Sequence, residues 1–407
     1  MVKPELEEWQ MRQREQRLDA EFLLQLLLLS TIFLLFSASL CAVFTIHPLY
    51  LALFLERPEY VGIVAAIASL AGLIFSLHTG LLSDKTGRKK LLIASFLLVS
   101  AVLFLFSLNT SLYLLILLQI AFGIAMVPAR VTSEALVKDL SPIKRRGEFR
   151  SVFGTFANAG IFIGPVIGGF IAYQFDIRTN YIFAALLLLV SLALVFKLND
   201  NNCNSNIRKR ASNERRNEEL LTLLKEFLEQ RELKALAFCT VSLFFWYSAR
   251  WVFGPLFLHY LGYSPFMIGL WLGISLAPFL IFQIPLGRLG DRIGKSRLIL
   301  IGFVISIIFI IPLGFLQAFP ALLITITLIS LGTTFIEPLI EARVTDIVPP
   351  ERYGAYSGIF ESAKNLGFML GPVSSTIFVY LFGITYSFIP SVILFIVTLA
   401  LYKIWLS

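Results

Sequence analysis

Apolar runs long enough to cross a bilayer recur along nearly the whole of this chain, and that pattern excludes most folds at once. About 18 to 20 apolar residues, each rising 1.5 Å along a helix, cover the roughly 30 Å of hydrocarbon in a membrane. Such runs lie near 22–54, 61–82, 91–108, 112–137, 150–173 and 180–197, and again near 233–260, 266–287, 298–317, 320–345, 354–382 and 385–405. They predict an all-α integral membrane protein with twelve transmembrane helices. Of 407 residues 57% are hydrophobic and only 15% charged, against roughly 25% charged in soluble chains. The first run is too long for the apolar core of a secretory signal, and no small-residue cleavage site follows it, so it reads as a retained helix.

The charges set the orientation. Lys85, Arg88, Lys89 and Lys90, then Lys144, Arg145 and Arg146, then a cluster from Arg208 to Arg216, then Arg292, Lys295 and Arg297, and finally Arg352 fall in alternate loops. The opposite loops hold Arg57 and Arg178. The positive-inside rule therefore places both termini in the cytoplasm of a cell whose plasma membrane the chain spans repeatedly. The net charge of +8 is spent in these loops, which argues against a nucleic-acid partner and for the lipid bilayer. Cys41, Cys203 and Cys239 show no metal-ligand spacing. Gly290 to Ser296 resembles a phosphate loop, but Leu289 stands where its first glycine belongs, so nucleotide hydrolysis has no support. No cofactor and no enzyme activity are expected.

One register relates the two sets of runs. Shifted by 207 residues, GLLSDKTGRKK from Gly80 falls on GRLGDRIGKSR from Gly287, and EALVKDLSP from Glu134 on EARVTDIVP from Glu341. The same shift carries Pro48 to Pro255, Gly62 to Gly269, and Gly160, Gly164 and Pro165 to Gly367, Gly371 and Pro372. The chain is thus expected to consist of two six-helix parallel repeats, residues 1–197 and 233–407. A cytoplasmic linker, 198–232, joins them, and its Leu220, Leu221, Leu224, Phe227 and Leu228 have the spacing of an amphipathic helix.

The loop after the second span carries Gly80, Asp84, Gly87, Arg88 and Lys89, echoed after the eighth by Gly287, Asp291, Gly294 and Lys295. Gly80 permits close helix approach one turn before Asp84, and Gly87 suits the left-handed backbone that ends a helix. With the internal repeat, these residues resemble the major facilitator superfamily over essentially the whole chain. The resemblance implies that Asp84 accepts from the start of helix eleven, and that Asp139 and Asp346 pair with Arg88 and Lys295 to hold the cytoplasmic side shut. Helix five carries Gly160, Gly164, Pro165, Gly168 and Gly169, similar to the GxxxGPxxGG pattern of the antiporter branch. Two departures stand out. Gln119 replaces the arginine that this branch places before Gly123, and no acidic residue occurs from Phe22 to Leu55.

Ionisable residues within spans are expensive and functional by default. Here these are Arg130 and Glu134 in helix four, Arg250 in helix seven, Glu337, Glu341 and Arg343 in helix ten, and Glu361 and Lys364 in helix eleven. Around Arg250 lie Phe244, Phe245, Trp246, Tyr247 and Trp251; Trp246 (i−4) and, beyond this cluster, Phe253 (i+3) share its helix face. An aromatic substrate held by stacking and cation–π contact is one reading; packing against lipid or helices is the other. The 207 shift also sets Arg130 opposite Glu337. They are expected to approach when the cytoplasmic side closes, with Glu337 releasing on protonation or substrate binding; the alternative pairs Glu337 with Lys364 and turns Arg130 to headgroups. The resemblance implies a secondary transporter moving a small-molecule substrate by alternating access, with proton-coupled efflux of a drug-like or amphipathic compound favoured. Proton-coupled uptake of a sugar or organic acid is the alternative, and a non-transporting membrane sensor or scaffold a more distant one.

Overall fold

The computed structural model describes the backbone of residues 3–140, 146–198, 225–227, 229–349 and 353–406. Side chains are described within these, except at 3–22, 76–86, 134–135, 137–140, 146–151, 283–284, 353–355 and 406. Among these residues there is no strand, and twelve helical segments are long and apolar enough to cross a membrane. In chain order the helices are α1 (Lys3–Ala52), α2 (Val61–Thr86), α3 (Arg88–Leu108), α4 (Leu112–Leu140), α5 (Arg146–Gln174), α6 (Ile177–Val195) and α7 (Arg231–Tyr260). Then come α8 (Pro265–Ile274), α9 (Ala277–Ile293), α10 (Lys295–Leu313), α11 (Phe319–Thr334), α12 (Glu337–Ile347), α13 (Tyr353–Phe382) and α14 (Ile389–Leu406). Spans eight and ten are each made of two helices, α8 with α9 and α11 with α12. Helix α1 begins well before the apolar run, because residues 5–17 are mostly Glu, Gln and Arg, with Leu6 and Met11 among them, and all of these are good helix formers.

The packing repeats as the sequence does. In the first half α1 lies against α5 and α6, α3 against α4 and α6, and α2 against α4. In the second α7 lies against α13 and α14, α10 against α11 and α14, and α9 against α11. Phe36 stacks on Phe96 with ring centroids 5.0 Å apart, and Tyr50, Phe106 and Tyr181 interlock several turns further along α1 and α3, so aromatic rings fill the first half at two levels. Outward-facing side chains such as Leu98, Leu117, Ile301, Ile308 and Ile393 stay exposed and apolar, as a lipid-facing perimeter requires.

The halves meet along α1 with α7, α2 with α13, and α5 with α8. Two glycine crossings make the approach possible. A β-carbon on Gly269 would overlap the Pro165 carbonyl and lie 3.0 Å from the Gly169 Cα; one on Gly62 would overlap the Pro372 carbonyl and the Thr376 hydroxyl. Gly62 and Gly269 open their helices after loops on the face opposite the termini, so the closest backbone contacts between halves lie toward that face.

Spans eight and ten depart from the continuous helices that their apolar runs predict. Helix α8 ends before Ser275 and α9 restarts with Pro278 in its first turn, while α11 ends before Phe335 and α12 restarts with Pro338 in its first turn. Proline has no N–H to give the carbonyl four residues back, and it is tolerated in a first turn, where that N–H has no partner anyway. At the second break Phe335 and Ile336 tighten to i→i−3 hydrogen bonds on Gly332 and Thr333. Glu337 is thereby the first residue of a half-helix inside the membrane.

Of the linker, Lys225–Phe227 and Glu229 are helical, and the buried Phe227 sets its ring against Tyr356 and Phe360 of α13. Leu220, Leu221, Leu224, Leu228 and the arginine cluster lie outside the described residues.

Candidate substrate and coupling site

The loop motif takes the shape its glycines allow. Gly87 separates α2 from α3 at φ 87° and ψ 139°, and Gly294 separates α9 from α10 at φ 105° and ψ 123°. Both φ values are positive, as the sequence suggests, but ψ is extended rather than left-handed helical, a region that glycine alone occupies readily. Lys89 donates to the Leu198 carbonyl at 2.6 Å and the Phe196 carbonyl at 3.3 Å, placing a cation on the C-terminal end of α6. Gly80 lies in the last turns of α2. The side chains of Asp84, Glu134 and Asp139 are outside the described ones, and so are the contacts expected of them with helix eleven and Arg88.

In the second half the corresponding ion pairs are on view. Lys295 donates to Asp346 at 2.7 Å and lies 3.3 Å from Asp291, while Arg343 donates to Glu232 at 2.6 Å and lies 3.8 Å from Asp346. This network ties the ends of α9 and α12 to the starts of α10 and α7. Asp346 and Asp291 are 41% and 70% exposed, and an exposed pair is worth about 0–1 kcal/mol. Lys295→Met is therefore expected to lower unfolding stability by about 1 kcal/mol or less, read as a small downward shift in thermal unfolding of the purified protein.

Arg130 and Glu337 do not meet. Arg130 of α4 instead pairs with Glu361 of α13 at 3.2 Å, a bridge between the halves whose partners remain 52% and 37% exposed. Nor does Glu337 form an ion pair with Lys364, which binds Glu361 at 3.1 Å and Glu341 at 3.3 Å and sits 5.4 Å from the centre of the Phe244 ring. The physical reason is the break in span ten. It turns Glu337 toward α7, where the Tyr247 hydroxyl donates to its Oε2 at 3.0 Å.

Arg250 is buried, with 2% of its surface exposed. Its guanidinium lies 5.2 Å from the Tyr247 ring centre and 5.7 Å from that of Trp251. Trp246 and Phe253, expected on its face, go elsewhere: Trp246 packs into the second half against Phe388 in the turn before α14, and Phe253 lies near Gly62 at the α2 crossing. Tyr247 thus joins two charges, with its ring beside Arg250 and its hydroxyl on Glu337. Isolated ionised side chains at mid-membrane cost about 2.5–3.5 kcal/mol on insertion scales, so a pair bridged through one tyrosine is a costly feature for a structural role.

The packing motif divides. Gly160, Gly164 and Gly168 press α5 onto α1 at Leu34, Ala38 and Ala42, whereas Gly169, beside Pro165, presses on Gly269 of α8 in the other half. A further polar group escaped the sequence reading. His47 of α1 is buried, with Nδ1 2.7 Å from the Tyr181 hydroxyl and Nε2 2.9 Å from the Gln119 amide. Gln119, the departure from the antiporter pattern, is therefore half of a buried histidine contact. A lone histidine inside an apolar run was the only available signal.

A sequence profile of the Major Facilitator Superfamily matches residues 26–253 and 236–407. The chain belongs to this superfamily. It is a multi-pass membrane transporter, and its family consists of secondary transporters rather than enzymes. This facilitator is 25% identical over 382 residues to Multidrug resistance protein 2 of Bacillus subtilis (strain 168), covering 93% of this chain and 94% of the relative. It is 23% identical over 339 residues to the class H tetracycline resistance protein of Pasteurella multocida, covering 80% of each. Among solved structures it is similar to the nucleoside transporter NupG, with a TM-score of 0.79 at 14% identity over 94% of this chain and 100% of that one. A D-xylose–proton symporter gives 0.76 at 18% identity over 94% and 97%. At such identities the solved structures speak for the fold alone.

Proposed function

We propose that this facilitator is a proton-coupled exporter of a small drug-like or amphipathic compound, with residues 1–197 and 233–407 rocking as two bodies about the glycine crossings. The observation that carries the reading is Glu337. It is an acid at the start of a half-helix inside span ten, bonded to Tyr247 of span seven and close to the charges of Lys364 and Glu341. A broken helix at a repeat interface is a recurrent place for coupling sites in transporters. The resistance proteins among its relatives favour export over uptake. Arg130, Glu361 and Lys364 form the charged wall beside Glu337, the Arg130–Glu361 pair latches the two halves together, and the loop ion pairs brace the helix ends of the second half as it moves.

Two experiments test this. Counterflow in proteoliposomes across lipophilic cations, sugars and organic acids identifies the transported class, and absence of any counterflow would favour a non-transporting role. Orientation is read by labelling. In a background without Cys41, Cys203 and Cys239, single cysteines at the exposed positions Arg57 and Arg178 should react with an impermeant thiol reagent added to whole cells. One at the exposed Arg292 should react only after permeabilisation. The reverse pattern would invert the topology.

A further inference from the structure

Among the described residues Arg250 makes no direct ion pair, and the nearest carboxylate, Glu337, reaches it only through Tyr247. The arginine Nε has no hydrogen-bond partner. The ionisable groups around it are Tyr247, Glu337 and Cys41. The Tyr247 hydroxyl donates to Glu337, which is thereby engaged away from the guanidinium, and Cys41 is a buried free thiol. Helix α1, which faces α7 across the junction of the halves, brings no carboxylate, since no Asp or Glu occurs from Phe22 to Leu55. The guanidinium is bordered instead by the Tyr247 and Trp251 rings of its own helix, and Trp251 carries the aromatic contact on into the first half. Trp251 meets Phe44 of α1 edge-on at 6.2 Å, and Phe44 meets Phe122 of α4 at 6.0 Å. Tyr247, Trp251 and Phe44 each keep part of their surface exposed.

We propose that Arg250 is the subsite for a negatively charged group on the substrate, and that the transported compound is an aromatic organic anion whose ring packs among Tyr247, Trp251 and Phe44. A guanidinium presents parallel N–H donors that match a carboxylate or sulfonate in two contacts, and its delocalised charge tolerates burial better than an ammonium. Ring faces beside it accept a flat apolar body. A cationic compound would meet like charge at the same point. The inference rests on reading this junction as the transport site, and it is independent of coupling ion and direction.

Isothermal titration calorimetry on the purified full chain, with three probes of nearly one shape, tests it: 2-naphthoate, 2-naphthamide and 2-naphthylmethylammonium. The wild type should bind naphthoate about tenfold or more tightly than the amide, with the ammonium weakest. Arg250→Gln should reduce naphthoate to the level of the amide and leave the amide within about twofold; Arg250→Lys should restore part of the preference. Equal or tighter binding of the amide or ammonium to the wild type overturns the inference, even if the variants fail to fold. So does a naphthoate preference that survives Arg250→Gln, or no binding of any anion from benzoate to naphthalenesulfonate. Tight ammonium binding would end this inference and leave proton-coupled export standing, whereas naphthoate binding without gradient-driven flux would do the reverse.

Discussion

Gly269→Val should nearly abolish transport while the protein still folds, and Gly168→Val should do the opposite kind of damage. The two glycines differ in what they touch. A side chain at Gly269 overlaps the Pro165 carbonyl of the other half, so it pushes the halves apart at the face opposite the termini. Overpacking of this kind costs about 1–3 kcal/mol, and because the strain exists only while that contact is closed, it shifts the conformational balance roughly 5- to 150-fold. A side chain at Gly168 lies 2.6 Å from the Ala42 Cα and overlaps its carbonyl, within one half. That contact persists through any rocking of the halves, so the same strain lowers stability instead. Thermal unfolding and counterflow measured on both variants separate the two outcomes. Equal loss of stability in both would mean that the α5–α8 crossing does not open.

Glu337→Gln is the second substitution with a large expected effect. Glutamine keeps an acceptor for the Tyr247 hydroxyl, which now donates to Glu337 at 3.0 Å, but it cannot take up and release a proton. Substrate exchange down its own gradient should stay within about threefold of wild type, whereas accumulation against a gradient should fall tenfold or more, about 1.4 kcal/mol or more of lost driving force. Full gradient-driven accumulation in this variant would remove Glu337 as the coupling acid. Exchanging the partners of the other bridge, as Arg130→Glu with Glu361→Arg, should have a far smaller effect, because both side chains are exposed and such pairs contribute about 1 kcal/mol or less.

Much of the architecture was legible because the bilayer imposes it. Run length predicted every crossing, and the 207-residue register predicted that helix contacts would recur. The same register paired Gly62 with Gly269, and these now form the two glycine crossings between the halves. The ion pair of Lys295 with Asp346 was expected from the family resemblance and is present at 2.7 Å.

The site was read less well, for reasons that are local. Pro48, Pro128, Pro165 and Pro255 all sit inside unbroken helices, yet Pro278 and Pro338 each begin a new one. Apolar periodicity does not distinguish a tolerated proline from a break, because neighbouring helices decide whether the freed carbonyl can be left. Missing the second break meant missing the turn that takes Glu337 away from Arg130 and toward Tyr247. A helical wheel put Trp246 and Arg250 on one face, but the arginine side chain lies against Tyr247 and Trp251 while Trp246 packs against Phe388. Spacing along the helix does not specify which of its neighbours a long side chain touches.

The central claim is that proton flow drives substrate in the opposite direction. Its most direct test uses proteoliposomes of the purified full chain, loaded with the compound that counterflow identifies and given a pH step of either sign, with protein-free liposomes as the baseline. An acidic lumen should drive accumulation inside, a protonophore should collapse it, and Glu337→Gln should not show it. Accumulation driven by an acidic exterior would make the protein a symporter, and accumulation indifferent to both pH steps would contradict proton coupling altogether.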